Sequence, residues 1–247
     1  MNEKSVSIPT EGGMMLTYIF HPKNNGSFPA VILYMDAPAI REELFDFCRR
    51  IARDGYYVLL PDMYYRHGKI RYIHTSHSDL TDEKRKDMFA KMASLSNKLV
   101  MEDTAGMLEF LKTETAAKPG PKGCIGYCMS GQFVVTAAGT YPDDFAAAAS
   151  LYGVQIVTEK KDSPHLLASQ IKGELYIGFA EHDQYVPDHV ITDLKTALDR
   201  EKVTYRMDVW PGTEHGFCFP QRPAYVEDAA EKVWKITSDL FKRRLQS

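Results

Sequence analysis

Short unbroken apolar runs, separated by segments of helical period, constrain this chain more than any single residue does. Ala30-Val31-Ile32-Leu33-Tyr34-Met35 is continuous, as a strand buried on both faces requires. Ile40, Leu44, Phe47, Cys48 and Ile51 then recur at helical spacing, and Gly55 ends that segment. Tyr56 to Leu60 reads as the next strand, stopped by Pro61-Asp62. A long polar stretch leads to a second helix carrying Met88, Met92, Leu95, Leu99, Met107, Leu108 and Leu111. Cys124 to Tyr127, Ala146 to Leu151, Glu174 to Phe179 and Val203 to Trp210 read as further strands. Phe133 to Ala138, Val190 to Leu198 and Val226 to Leu240 are the helices between and after them. Strands alternating with helices imply right-handed crossovers and a mainly parallel sheet covered on both faces.

Before the alternation, Val6-Ser7-Ile8 and Met14 to Phe20 flank Glu11-Gly12-Gly13, the pattern of an antiparallel hairpin. A hairpin leading into a doubly wound, mainly parallel sheet suits the α/β-hydrolase fold. No repeat, low-complexity tract or linker interrupts it, so residues 1–247 are expected to form one α/β-hydrolase domain. Hydrophobic residues make up 44% and charged residues 26%, enough to bury a core without disulfides or metals. The net charge of −3, with Lys and Arg spread along the chain, builds no basic stripe and argues against nucleic acid. No apolar run approaches the roughly 20 residues of a membrane span. Met1-Asn2-Glu3-Lys4-Ser5 lacks the layout of a signal peptide, so a cytoplasmic protein is expected. Cys48, Cys124, Cys128 and Cys218 then read as reduced thiols, none in a C-x-x-C pair.

Ligands on such sheets bind at the carboxyl ends of the strands. There stands Gly126-Tyr127-Cys128-Met129-Ser130-Gly131, where a strand turns into a helix. A nucleophile on such a sharp turn needs small neighbours two places either side, here Gly126 and Ser130. The helix N-terminus that follows favours a thiolate. A buried free cysteine is ordinarily an inert apolar residue, and Cys124, inside the strand, fits that description. The pattern around Cys128 points instead to a nucleophile. Ser130, the rival, lies too far into the helix.

In this fold the chain order is nucleophile, acid, histidine. Asp183, on the loop Ala180-Glu181-His182-Asp183 after a strand, lies where the acid belongs, with Glu181 as the alternative. His215, in Glu214-His215-Gly216-Phe217 before the last helix, fits the general base. Singly, Asp183 could cap the helix near Pro187 and His215 could be a solvated loop residue. Three such residues in order at three strand ends are much harder to ascribe to chance. His182 comes in the wrong order and is expected to face elsewhere. His74 and His77, three apart, lack a further ligand, so neither a metal nor a cofactor is expected.

Together these residues resemble the dienelactone hydrolase family, which carries a G-Y-C-x-G-G elbow, an acid on the later loop and a histidine in an H-G/S-F context. The resemblance spans Val31 to the last helix and implies a Cys128–Asp183–His215 triad. It also implies an oxyanion hole from the N–H groups of Met129 and Ala37. The chain departs from the family twice. Asp36 stands where the family has a glutamate that meets the resting thiol. Phe219 stands where dienelactone-degrading members place an arginine, the nearest basic residue being Arg222, and no second family arginine aligns between Arg66 and Arg85. Phe219 and Arg222 are therefore expected to shape the substrate pocket, and the substrate is not expected to need a two-arginine carboxylate clamp.

The expectation is a hydrolase of small esters or lactones, acting as a monomer or small homo-oligomer without nucleic-acid or membrane partners. A general carboxylesterase or peptidase-like enzyme is the alternative within catalysis. A vestigial, non-catalytic binding module is the alternative outside it.

Overall fold

Of the 247-residue chain, the computed structural model describes residues 1–74 and 77–246, the His77 side chain apart. The chain divides into two compact units, Met1–Gly120 and Pro121–Ser247.

The first unit opens with a hairpin of β1 (Asn2–Thr10) and β2 (Gly13–His21), whose register closes at Thr10 opposite Gly13. β2 pairs antiparallel with β4 (Tyr57–Pro61), and β4 pairs parallel with β3 (Ala30–Tyr34), giving the order β1-β2-β4-β3. Every residue of β3 and β4 is buried, which is why both read as unbroken apolar runs rather than as alternating ones. Between them, α1 (Glu42–Arg53) turns Leu44, Cys48 and Ile51 inward.

The single long helix expected from Met88 to Leu111 is two helices, α2 (Asp82–Ala93) and α3 (Asn97–Thr113). The break lies in Ser94-Leu95-Ser96. The Ser94 hydroxyl donates to the Lys91 carbonyl, and the Ser96 hydroxyl caps α3 by accepting from the Leu99 N–H. Serine competes with the helical ladder in this way, a signal that the apolar spacing concealed. α3 lies against the hairpin, and a Cβ on Gly106 would stand 2.6 Å from the Pro9 carbonyl oxygen.

The second unit contains β5 (Lys122–Tyr127), β6 (Phe145–Leu151), β7 (Glu174–His182) and β8 (Tyr205–Glu214) in that spatial order, all parallel. Its helices are α4 (Gly131–Thr140), α5 (Asp188–Arg200) and α6 (Glu227–Leu245). β6 reads Phe-Ala-Ala-Ala-Ala-Ser-Leu, a poor strand former by intrinsic preference. Its small side chains leave room for α4, which packs directly on it. β7 and β8 outrun their apolar stretches: pairing continues to His182 opposite Glu214, past an irregularity after Ala180. Glu181 and His182, expected on a loop, therefore belong to the end of β7.

Parallel strands joined through helices, preceded by an antiparallel hairpin, make this an α/β fold, as the alternation requires. No helix among the described residues is long and apolar enough to cross a membrane.

Candidate functional site

The site lies at the carboxyl ends of β5, β6, β7 and β8. β5 ends at Tyr127, and the chain turns through a short 3-10 segment, Cys128–Ser130, into α4. Cys128 sits at that turn with φ +54°. Left-handed backbone is uncommon for a side chain without a local hydrogen-bonding group and persists only where the surroundings fix it.

The surroundings here are close contacts that only small residues permit. A Cβ on Gly126 would lie 2.8 Å from the Ser130 carbonyl oxygen and 2.9 Å from the Ser130 Cβ. One on Gly131 would lie 2.2 Å from Gly153 Cα, beyond the end of β6. The Val154 N–H donates to the Cys128 carbonyl at 3.0 Å and ties the elbow to that same segment. Cys128 remains partly exposed, whereas Cys48, Cys124 and Cys218 are buried and burial raises the pKa of each of these three. Ser130 is fully buried.

Asp183 and His215 come together as a bonded pair. His215 Nδ1 and Asp183 Oδ2 are 2.7 Å apart, with the two side chains 9% and 3% exposed. The second carboxylate oxygen, Oδ1, accepts the Tyr185 N–H at 2.9 Å, so local backbone orients the acid. Asp183 caps no helix: α5 starts behind Pro187 without a side-chain cap. Glu181 accepts the Gly212 N–H at 2.7 Å and holds the β8 turn rather than the imidazole. His182 is mostly exposed, 3.4 Å from Glu181.

Burial alone lowers the pKa of His215. The charge of Cys128, the bond to Asp183, a contact from the Cys128 sulfur and the Asp183 charge outweigh it and raise the value to about 9. Nε2 of His215 is buried with no hydrogen-bond partner at ordinary distance among the described residues. The influence of Cys128 on the ring is therefore first that of its charge.

Two aromatic rings fix the imidazole. Tyr152 and Tyr185 both meet it edge to face, at 5.0 and 4.8 Å between centroids. Tyr152 itself has φ +36°, a strained value for a bulky residue, at the end of β6. Sequence reasoning passed over it, although Leu151-Tyr152-Gly153 closes a strand where ligand-facing residues are expected.

Phe219 is packed into the interior. It is fully buried, edge-on to Tyr127 at 5.0 Å, and the Arg222 guanidinium lies over its ring at 4.9 Å. The expectation that Phe219 contacts substrate is corrected accordingly: the ring fills the core beneath the 216–222 turn, where an apolar side chain is most stable. Arg222 is half-buried and packed on that ring.

Asp36 and Ala37 belong to the first unit, after β3. The fully buried Asp36 is bound by both terminal nitrogens of Arg41, at 2.5 and 3.1 Å, and Arg41 also bonds Glu43. The Asp36 charge is matched by a buried guanidinium five residues away. The Ala37 carbonyl accepts the Tyr64 hydroxyl at 3.2 Å. His74 is exposed, and the His77 side chain lies outside the described residues. Among those residues no group of three or more His, Cys, Asp or Glu is placed to hold a metal ion.

The dienelactone hydrolase family profile matches residues 15–245. The chain belongs to the dienelactone hydrolase family. It is therefore a hydrolase. A "Putative carboxymethylenebutenolidase" of Synechocystis sp. is 26% identical over 245 residues, covering 98% of this chain and 96% of the relative. A structure described as a "Putative Dienelactone Hydrolase" of Klebsiella pneumoniae superimposes with a TM-score of 0.85 at 22% identity, over 98% of both chains. The acylaminoacyl peptidase of Pyrococcus horikoshii shares the fold, with a TM-score of 0.73 at 14% identity, but this chain covers 42% of it.

Proposed function

We propose that the chain hydrolyses small esters or lactones through a Cys128 nucleophile, with His215 as proton carrier and Asp183 as the carboxylate that orients it. The observation that carries this reading is the strained Cys128 beside an imidazole held at 2.7 Å by a nearly buried carboxylate.

In this mechanism the Cys128 thiol gives its proton to Nε2 of His215 and the sulfur attacks the ester carbonyl, while the tetrahedral oxyanion takes a hydrogen bond from the backbone N–H of Met129, the residue after the nucleophile. The C–O bond breaks, and His215 passes its proton to the departing oxygen. Water, losing a proton to His215, then cleaves the thioester and returns the thiol. Asp183 keeps Nδ1 protonated, leaves Nε2 to carry the proton, and stabilises the imidazolium.

A burst of one equivalent of alcohol from an activated ester, followed by slower turnover, would support the acyl-enzyme. Cys128→Ala is expected to abolish both phases, whereas Cys124→Ala and Cys218→Ala retain most turnover. Undiminished hydrolysis by Cys128→Ala would refute the mechanism. We propose further that the whole chain works as one domain, a reading supported by the family match running unbroken across residues 15–245. Unfolding in denaturant should then follow a single transition by fluorescence and by circular dichroism; two separated transitions would refute it.

A further inference from the structure

A surface cavity of about 140 Å³ opens between the segment after β6 and the start of α5. Its apolar wall is Val157, Tyr185, Val186, Pro187 and Val190. Tyr185 is shared with the candidate site, for the same ring meets the His215 imidazole at 4.8 Å. The cavity therefore lies one tyrosine ring from the group that carries the proton. Its other wall follows Val154, which is bonded to the Cys128 carbonyl at 3.0 Å. Gln155 on that wall has φ +57°, so the backbone there is held in an unusual conformation.

We infer that this cavity receives the leaving-group side of the substrate, an uncharged alcohol portion of about the size of a phenyl ring. The inference rests on the ester-hydrolase reading above and adds the substrate class. Size comes first. An apolar cavity of roughly 150 Å³ is known to hold a benzene molecule, so about 140 Å³ accommodates one ring or a short branched alkyl group. Charge comes second. The polar lining is Gln155, Thr158 and His189, with no lysine, arginine or carboxylate among the lining residues, so no permanent charge there favours an ionised substituent over an uncharged one. Direction comes third. His215 hands its proton to the departing oxygen, so the part of the substrate nearest His215 and Tyr185 is the alcohol, not the acyl group.

Two acetate esters that differ only in alcohol isolate the effect, because both pass through the same acetyl-enzyme. Wild type is expected to favour benzyl acetate over methyl acetate in kcat/KM by roughly ten- to a hundredfold, from burial of the ring. Val157→Trp fills the cavity and should reduce that ratio by about the same factor. Thr158→Trp, at the half-buried rim, should reduce it too and guards against a folding defect in the first variant. A ratio within about threefold of wild type in both variants would overturn the inference, as would an equal loss on both esters. Binding of 4-fluorobenzyl alcohol, followed by ¹⁹F NMR, tests the cavity even if wild type hydrolyses neither ester. Saturable broadening in wild type that vanishes in both tryptophan variants supports the cavity while hydrolysis fails. No binding to wild type overturns the cavity whatever the catalytic result.

Discussion

Replacing Cys128 by alanine should change the titration of His215, and the size of the change can be worked from the site. The imidazole rises from its ordinary 6.5 to about 9 although burial lowers it, because Cys128 and Asp183 together outweigh the burial. That rise corresponds to roughly 3 kcal/mol at 1.36 kcal/mol per pH unit. A histidine whose folded pKa exceeds its unfolded one stabilises the fold fully below about pH 6.5, and this contribution disappears as pH rises through about 9. Cys128→Ala removes the largest of the raising influences and leaves burial and Asp183. The imidazole pKa should fall from about 9, and the loss of stability between pH 6.5 and 9 should flatten, by up to the roughly 3 kcal/mol of the full rise. The assay is NMR titration of the His215 ring proton, with urea unfolding at pH 6 and pH 9.5 in both proteins. An unchanged His215 titration in Cys128→Ala would refute the claim that sulfur and imidazole interact.

Asp183→Asn should lower kcat by roughly two to four decades, since the amide can hold the wrong tautomer, whereas Glu181→Gln should cost little; equal losses would reject Asp183 as the orienting acid. Arg41→Met removes the guanidinium that pairs with the buried Asp36 and Glu43 carboxylates and should destabilise by about 3–5 kcal/mol in urea unfolding. Gly131→Ala sets a Cβ 2.2 Å from Gly153 Cα, and the overpacking should cost about 1–3 kcal/mol, a fall in Tm of several degrees.

The alternation of apolar runs with helical periods determined by itself that this chain is α/β. Strands buried on both faces must be apolar throughout, and the covering helices must be amphipathic, so the pattern is written one residue at a time. The order of Cys128, Asp183 and His215 was legible for a related reason. Each follows an apolar strand, and strand ends are where such a sheet presents its chemistry. Tertiary structure decided what depends on partners distant in sequence. The Ser94–Ser96 break was concealed because Met92, Leu95 and Leu99 keep helical spacing across it. The ends of β7 and β8 depend on backbone pairing between His182 and Glu214, which leaves no trace in hydrophobicity. The buried pairing of Asp36 with the guanidinium of Arg41, five residues on, was not legible either. Phe219 was read as open to substrate, and only packing beneath Arg222 and against Tyr127 shows that it fills the core. Tyr152 and Tyr185 grip His215 from segments 63 and 30 residues earlier in the chain, and a sequence carries no sign of which rings will meet. Periodicity encodes a residue's burial because burial depends on its own element; contact between side chains depends on how separate elements pack, and that is settled only in three dimensions.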